Sequence, residues 1–246
     1  MATYFWVGGS GTWNDTDATH WSTTSGGTGG AGVPTSSDSV VFNISSGLSS
    51  TTTVTCYSGL ASCSDFVSSA TSCIWVGTFT VWTNGCSFQG AVATGSSLNI
   101  ELLGSGSASF VGSGSISTIT IGGTYTFNAS PTIQTLNVVN QATVISTSSG
   151  IQTLNLFGGG SLILQSGNIT CNSLAYGGSI QISANRSLSV TNAITITGTP
   201  SMSMAPTASY TYSGTSFNGG GLTYDGIVTL SSSSNISIYG NNSIYT

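Results

Sequence analysis

The chain has 246 residues and only 3% of them are charged: one arginine, Arg186, no lysine and six acids, for a net charge of −5 with a single histidine, His20. An average soluble chain is about a quarter charged, and the lack of cations removes the groups that bind phosphates or anionic lipid, so nucleic-acid and membrane-surface partners are excluded. No run approaches the ~18 apolar residues of a spanning helix, while 38% hydrophobic residues with a positive mean hydropathy give enough material for a core and argue against disorder.

Residues 1–50 hold Trp6, Trp13, Trp21, Phe5 and Phe42, the only histidine and three of the six acids. Ser22 to Ser37 has the Gly, Ser and Pro content of a loop, and the β-rich Asp38-Ser39-Val40-Val41-Phe42-Asn43-Ile44 follows. This segment reads as a compact β-cap or docking module in which Trp6, Trp13, Trp21 and Phe42 close the end of a larger β structure, with His20 beside Trp13 and Trp21. Asp15, Asp17 and Asp38 are the one acidic cluster. They could give oxygen ligands to Ca²⁺, although turn capping by aspartate side chains is the expected use.

Residues 51–246 form the second region, a Ser/Thr/Gly-rich body of short runs bounded by Gly, Ser or Asn. Most alternate apolar with hydroxyl residues, the period of a half-buried strand, and no stretch keeps a helical period. The fold class is therefore all-β. Ile133-Gln134-Thr135-Leu136-Asn137 recurs as Ile151-Gln152-Thr153-Leu154-Asn155, with looser matches at Ile169–Leu174 and Ala193–Ile196. A fixed offset of this kind predicts a β-solenoid whose coils bury their apolar sides against one another. At about 4.8 Å per coil, eight to ten coils make a rod roughly 40 to 50 Å long. The competing architecture is a β-sandwich or jelly roll, for which hairpin signals are scarce; Asn84-Gly85 and Asn218-Gly219 qualify.

The five cysteines (Cys56, Cys63, Cys73, Cys86, Cys171) are odd in number and lack a C-x-x-C pair. Buried free thiols are expected. No secretory signal is visible at the start, which together with Met1 suggests assembly in a cytosol and release by lysis.

The run Tyr4-Phe5-Trp6-Val7-Gly8-Gly9-Ser10-Gly11-Thr12-Trp13-Asn14, then Thr19-His20-Trp21-Ser22, then Val33-Pro34 through Asp38-Ser39-Val40-Val41-Phe42 resembles an N-terminal module of uncharacterised phage and bacterial surface proteins. The pattern is also similar to the opening of autotransporter passenger repeats, which form β-helices. His20 stands where an asparagine is more usual, and Cys63-Ser64-Asp65-Phe66 is similar to the segment that commonly follows. The resemblance covers about the first 90 residues. It implies a virion or cell-surface structural protein and carries over no catalytic residue.

Little chemistry competes with that expectation. Asp65, Glu101 and Asp225 are the only acids of the body, and Asp65 and Glu101 would approach only if their separation equalled two coils; no neighbouring charge tunes either one. His20 has no nucleophile elbow with which to form a triad. Trp75, Trp82, Tyr210, Tyr212 and Tyr224 are candidates for stacking on sugars, although packing in a core or an interface is the expected use of such large rings. Thr118-Ile119-Thr120 and Thr195-Ile196-Thr197 are too interrupted for an ice-binding face. The expected function is therefore a non-enzymatic virion surface protein, a phage decoration or fibre subunit without cofactor. It would be self-associated as a homotrimer and bound to other virion proteins. The alternatives are a glycan-binding adhesin or receptor-binding fibre, and a secreted bacterial filament or matrix subunit.

Overall fold

The structure is a computed structural model. It describes residues 1–70, 72–93, 95–111, 113–129, 132–139, 143–146, 148–165, 167–197, 201–205 and 207–212, with backbone alone at 127–129, 143–146, 148–149, 176, 216–220, 227–230 and 235–239. Strands make up 57% of the chain, and stacked parallel sheets form a β-solenoid of about seven turns. Rungs joined by hydrogen bonds are 18 residues apart at Asn137 and Asn155, 21 at Thr80 and Glu101, and 22 at Asn185 and Thr207.

Two compact units divide the chain, Met1–Thr120 with Ser130–Thr132, and Ile121–Ala129 with Ile133–Thr246. In the N-terminal unit one sheet of short strands runs, in spatial order, Trp21–Ser22, Thr3–Trp6, Ser39–Phe42, Asp65–Ser68, Cys86–Phe88 and Ser105–Phe110. The other, of longer strands, runs Gly11–Trp13, Thr53–Cys56, Ser72–Val81, Ser97–Leu102 and Ser115–Ile121. Neighbours pair in parallel except at the outermost position, where Trp21–Ser22 lies antiparallel to Thr3–Trp6. That short strand covers an edge that would otherwise offer unpaired backbone groups to another chain.

The change in composition at residue 50 does not coincide with a break in the fold. Gly11–Trp13 pairs with Thr53–Cys56, and Ser39–Phe42 with Asp65–Ser68, so residues 1–50 form the terminal turn of the same stack. Trp6, Trp13, Trp21 and Phe42 are fully buried. Their rings pack inside this turn. His20 stacks on Trp6 at 4.7 Å rather than beside Trp13 and Trp21, and its Nδ1 lies 2.8 Å from the Val7 carbonyl. Gly11 must be glycine here, because a Cβ would collide with the His20 ring.

The interior follows from strand alternation. Along Ser72–Val81 the inward positions Cys73, Trp75, Phe79 and Val81 are buried, and Gly77 takes φ +92°, where a Cβ would strike the Cys56 carbonyl. Phe66 stacks on Phe79 at 4.4 Å and on Phe88 at 5.7 Å, and Trp13 meets Trp21 edge-on at 5.4 Å.

In the C-terminal unit the short-strand sheet runs Thr124–Ala129, Thr143–Ser146, Ser161–Leu164, Ser179–Ile182 and Ser201–Met204. The long-strand sheet runs Thr132–Val138, Ser148–Leu156, Asn168–Tyr176, Ser187–Ile196, Ser209–Tyr212 and Ile227–Leu230. The sequence repeat is a structural one: Ile133 pairs with Ile151 and Leu136 with Leu154, and the column continues through Leu174 to Ile194. Asn84-Gly85 makes a corner between sheets and Asn218-Gly219 lies within the strand Ser216–Gly220, so neither forms a hairpin.

Candidate functional site

The outward face of the long-strand sheet in the N-terminal unit carries hydroxyl, amide, carboxylate and aromatic side chains. In the strand Ser72–Val81 the alternation that sends Phe79 and Val81 inward sends Thr78, Thr80 and, one residue beyond the strand, Trp82 outward. The next strand sets Asn99 against Thr78 and Glu101 against Thr80. Thr80 is only 4% exposed, and its hydroxyl donates to Glu101 Oε2 at 2.9 Å, which fixes the carboxylate on the sheet. A carboxylate has about four acceptor sites, so this bond leaves acceptor capacity.

On the preceding rung the chain leaves the sheet after Cys56, which pairs with Gly77, and returns at Ser62, which pairs with Thr80. The intervening turn, closed by Leu60 and Ala61 N–H groups donating to the Tyr57 carbonyl, pushes Tyr57 out at the level of Thr78. Tyr57 is 53% exposed and Trp82 49%. Their columns are four residues apart, about 13 Å along the strand. Two aromatic side chains thus flank a row of hydroxyl, amide and carboxylate groups.

Trp75 is 1% exposed, with its ring against Phe42, Phe66 and Phe88. It cannot stack on a sugar, and Trp82 alone of that pair remains available. Tyr210 and Tyr212 are also buried, and the Tyr212 hydroxyl donates to the Asn192 carbonyl. Tyr224 and Asp225 lie outside the described residues. The carboxylates Asp65 and Glu101 stand on different sheets of the unit, so the two-coil coincidence of spacing does not bring them together. Burial raises Asp65 from the usual carboxylate range, partly offset by the Gly85 N–H.

Asp17 and Asp38, two of the three N-terminal aspartates, are held by different partners. Asp17 accepts from the Thr19 hydroxyl and N–H, the hydroxyl first among the causes that hold its pKa down. Burial acts to raise Asp38, but hydrogen bonds from Ala2 and Thr35 and the nearby N-terminal ammonium outweigh it and lower its pKa. Asp15 is exposed. Among the described residues no three His, Cys, Asp or Glu side chains gather to hold a metal. Asp17 and Asp38 thus both cap turns, the use expected of them from the sequence.

All five cysteines are free and buried. Desolvation pushes every thiol up, to about 12 for Cys171 and well above the ordinary value for Cys63, so none is a poised nucleophile. Sequence reasoning found Trp82 but missed Tyr57, Thr80 and Glu101 as its neighbours. The signal for Thr78 and Thr80 was present in the two-residue phase set by Phe79, whereas Tyr57 depends on a turn whose exit from the sheet no alternation announces. No protein family, curated protein or solved structure matches the chain.

Proposed function

We propose that the protein is a structural component of a virion surface, a decoration or fibre subunit that works by assembly rather than catalysis. The observation that carries this reading is the outward column of the short-strand sheet in the C-terminal unit. Ser161, Ser179 and Ser201 stand in register on three successive rungs, and the Ser179 hydroxyl donates to Ser161 Oγ at 2.9 Å. The column is neutral and carries a donor and an acceptor on each of these rungs, so a like face can meet it without charge repulsion or stranded ions. The chain has the composition of a durable exterior as well, with a single Lys-or-Arg site for trypsin-type cleavage.

The covered N-terminal edge directs this association. With Trp21–Ser22 closing the short-strand sheet, end-to-end growth from that end is disfavoured, which weighs against the secreted-filament reading and for contacts through the sides. Closed cyclic symmetry makes a homotrimer the expected product. The test is density-gradient separation of particles released from cells carrying the gene, probed with antibody to the chain. Co-banding with intact particles is expected; recovery only as soluble chain or in the cell envelope would overturn the proposal.

A further inference from the structure

We infer that the outward face bearing Tyr57, Thr78, Thr80, Trp82, Asn99 and Glu101 binds a neutral oligosaccharide. This goes beyond the assembly reading and does not depend on it. Four of the five tryptophans, Trp6, Trp13, Trp21 and Trp75, are buried; Trp82 is the one whose ring is half open to solvent. A pyranose offers an apolar face of C–H groups and a rim of hydroxyls. An exposed indole accepts the first, and a carboxylate, an amide and a hydroxyl set beside it accept and donate to the second. The about 13 Å between the Tyr57 and Trp82 columns suits a ligand of several rings rather than one.

The same chemistry disfavours other occupants. The N-terminal unit contains no lysine or arginine, so a polyanion finds a carboxylate and no counter-charge. A protein interface centred here would have to desolvate Glu101, while the cores of such interfaces are depleted in charge. Sugar hydroxyls instead donate to Glu101 and replace the water it gives up. Thr80 holds that carboxylate in place before any ligand arrives, which lowers the ordering cost of binding.

The test titrates the full chain with maltohexaose, cellohexaose, chitohexaose and xylohexaose, by calorimetry and by acrylamide quenching of tryptophan emission. At least one of these should bind and shield the exposed indole from the quencher. Trp82→Ala should weaken that binding about tenfold or more and abolish the shielding, and Glu101→Gln should weaken it about threefold to tenfold. Phe157→Ala, an exposed ring in the C-terminal unit, should leave it unchanged. Both Trp82 and Glu101 face outward, so circular dichroism of the variants should match the parent. No binding of any probe at about 1 mM, or binding that survives both Trp82→Ala and Glu101→Gln within about twofold, overturns the inference. Either result leaves the particle co-banding experiment to be decided on its own.

Discussion

The interiors of the two units are filled differently. Rings dominate the N-terminal one: Trp6, Trp13, Trp21, Phe42, Phe66, Trp75, Phe79, Phe88 and Phe110 are all buried and linked by ring contacts. In the C-terminal unit the columns are chiefly aliphatic, as in Leu136–Leu154–Leu174–Ile194 and Leu162–Ile180–Met202. The difference follows coil regularity. Where rungs lie 18 to 22 residues apart, as from Leu136 through Leu154 and Leu174 to Ile194, aliphatic side chains of similar size stack on one another. Where the chain makes a long excursion, as between Gly11–Trp13 and its partner strand Thr53–Cys56, large rings fill the interior. Aromatics are thus the solution for the irregular end, and aliphatic ladders for the regular body.

The strongest test of that contrast is truncation. Trp13→Ala should cost about 3–5 kcal/mol, because the ring lies within 6.4 Å of the centroids of Trp21, Phe42, Phe66 and Phe79, and the turn it fills has no second copy to close the gap. Leu154→Ala should cost about 2–5 kcal/mol and fall toward the lower end, since Leu136 and Leu174 on adjacent rungs can relax into the space. Urea denaturation of both variants measures this. A larger loss for Leu154→Ala would break the comparison.

Glycine gives a second contrast, in sign as well as size. Gly77→Ala should destabilise by about 1–3 kcal/mol from left-handed backbone strain alone, with the Cys56 carbonyl also in the way. Gly150, in the strand Ser148–Leu156, has open space where a Cβ would go and no left-handed φ. Gly150→Ala should therefore be neutral or stabilising by up to about 1 kcal/mol. Thermal melts of the two proteins distinguish these outcomes, and a destabilised Gly150→Ala would show that the regular body is tighter than its rungs suggest.

These contrasts also mark what could be read from the sequence. Ile133–Asn137 and Ile151–Asn155 announced both the solenoid and its register, because an 18-residue coil that buries Ile and Leu on one rung must bury them on the next. The direction of Trp75 was not legible because Cys73-Ile74-Trp75-Val76 is apolar at every position, so alternation sets no phase there. Its inward direction comes from the pairing of Trp75 with Val54, which joins residues 21 positions apart and leaves no local trace. The turn that exposes Tyr57 beside Trp82 was hidden for the same reason.

Alkaline pH should separate the units next. Four buried thiols, Cys56, Cys63, Cys73 and Cys86, belong to the N-terminal unit and one, Cys171, to the C-terminal unit. Burial raises each folded pKa, so this contribution to stability is fully present below the unfolded thiol value of about 8.5. It is lost as pH climbs toward the folded value, about 12 for Cys171. Amide hydrogen exchange, corrected for the intrinsic rise with pH, should show the N-terminal unit losing protection faster between about pH 8.5 and 11. Equal loss in both units would mean that desolvation of the thiols is not what distinguishes them.

The smallest effect belongs to the outward amides. Asn155 Nδ2 donates to Asn137 Oδ1 at 2.9 Å, one rung apart, and Asn155→Ala should cost about 0.5–1.5 kcal/mol by urea denaturation. The bond is partly solvated, and water can replace it. Its value lies in register, since a slip of one residue would turn Leu154 outward and Asn155 into the core. In the N-terminal unit the ring contacts already forbid such a slip, whereas a ladder of near-identical rungs needs a polar marker to tell one alignment from the next. Asn155→Ala should therefore broaden the unfolding transition of the C-terminal unit as well as shift it. A shift with unchanged steepness would assign register to the aliphatic columns alone.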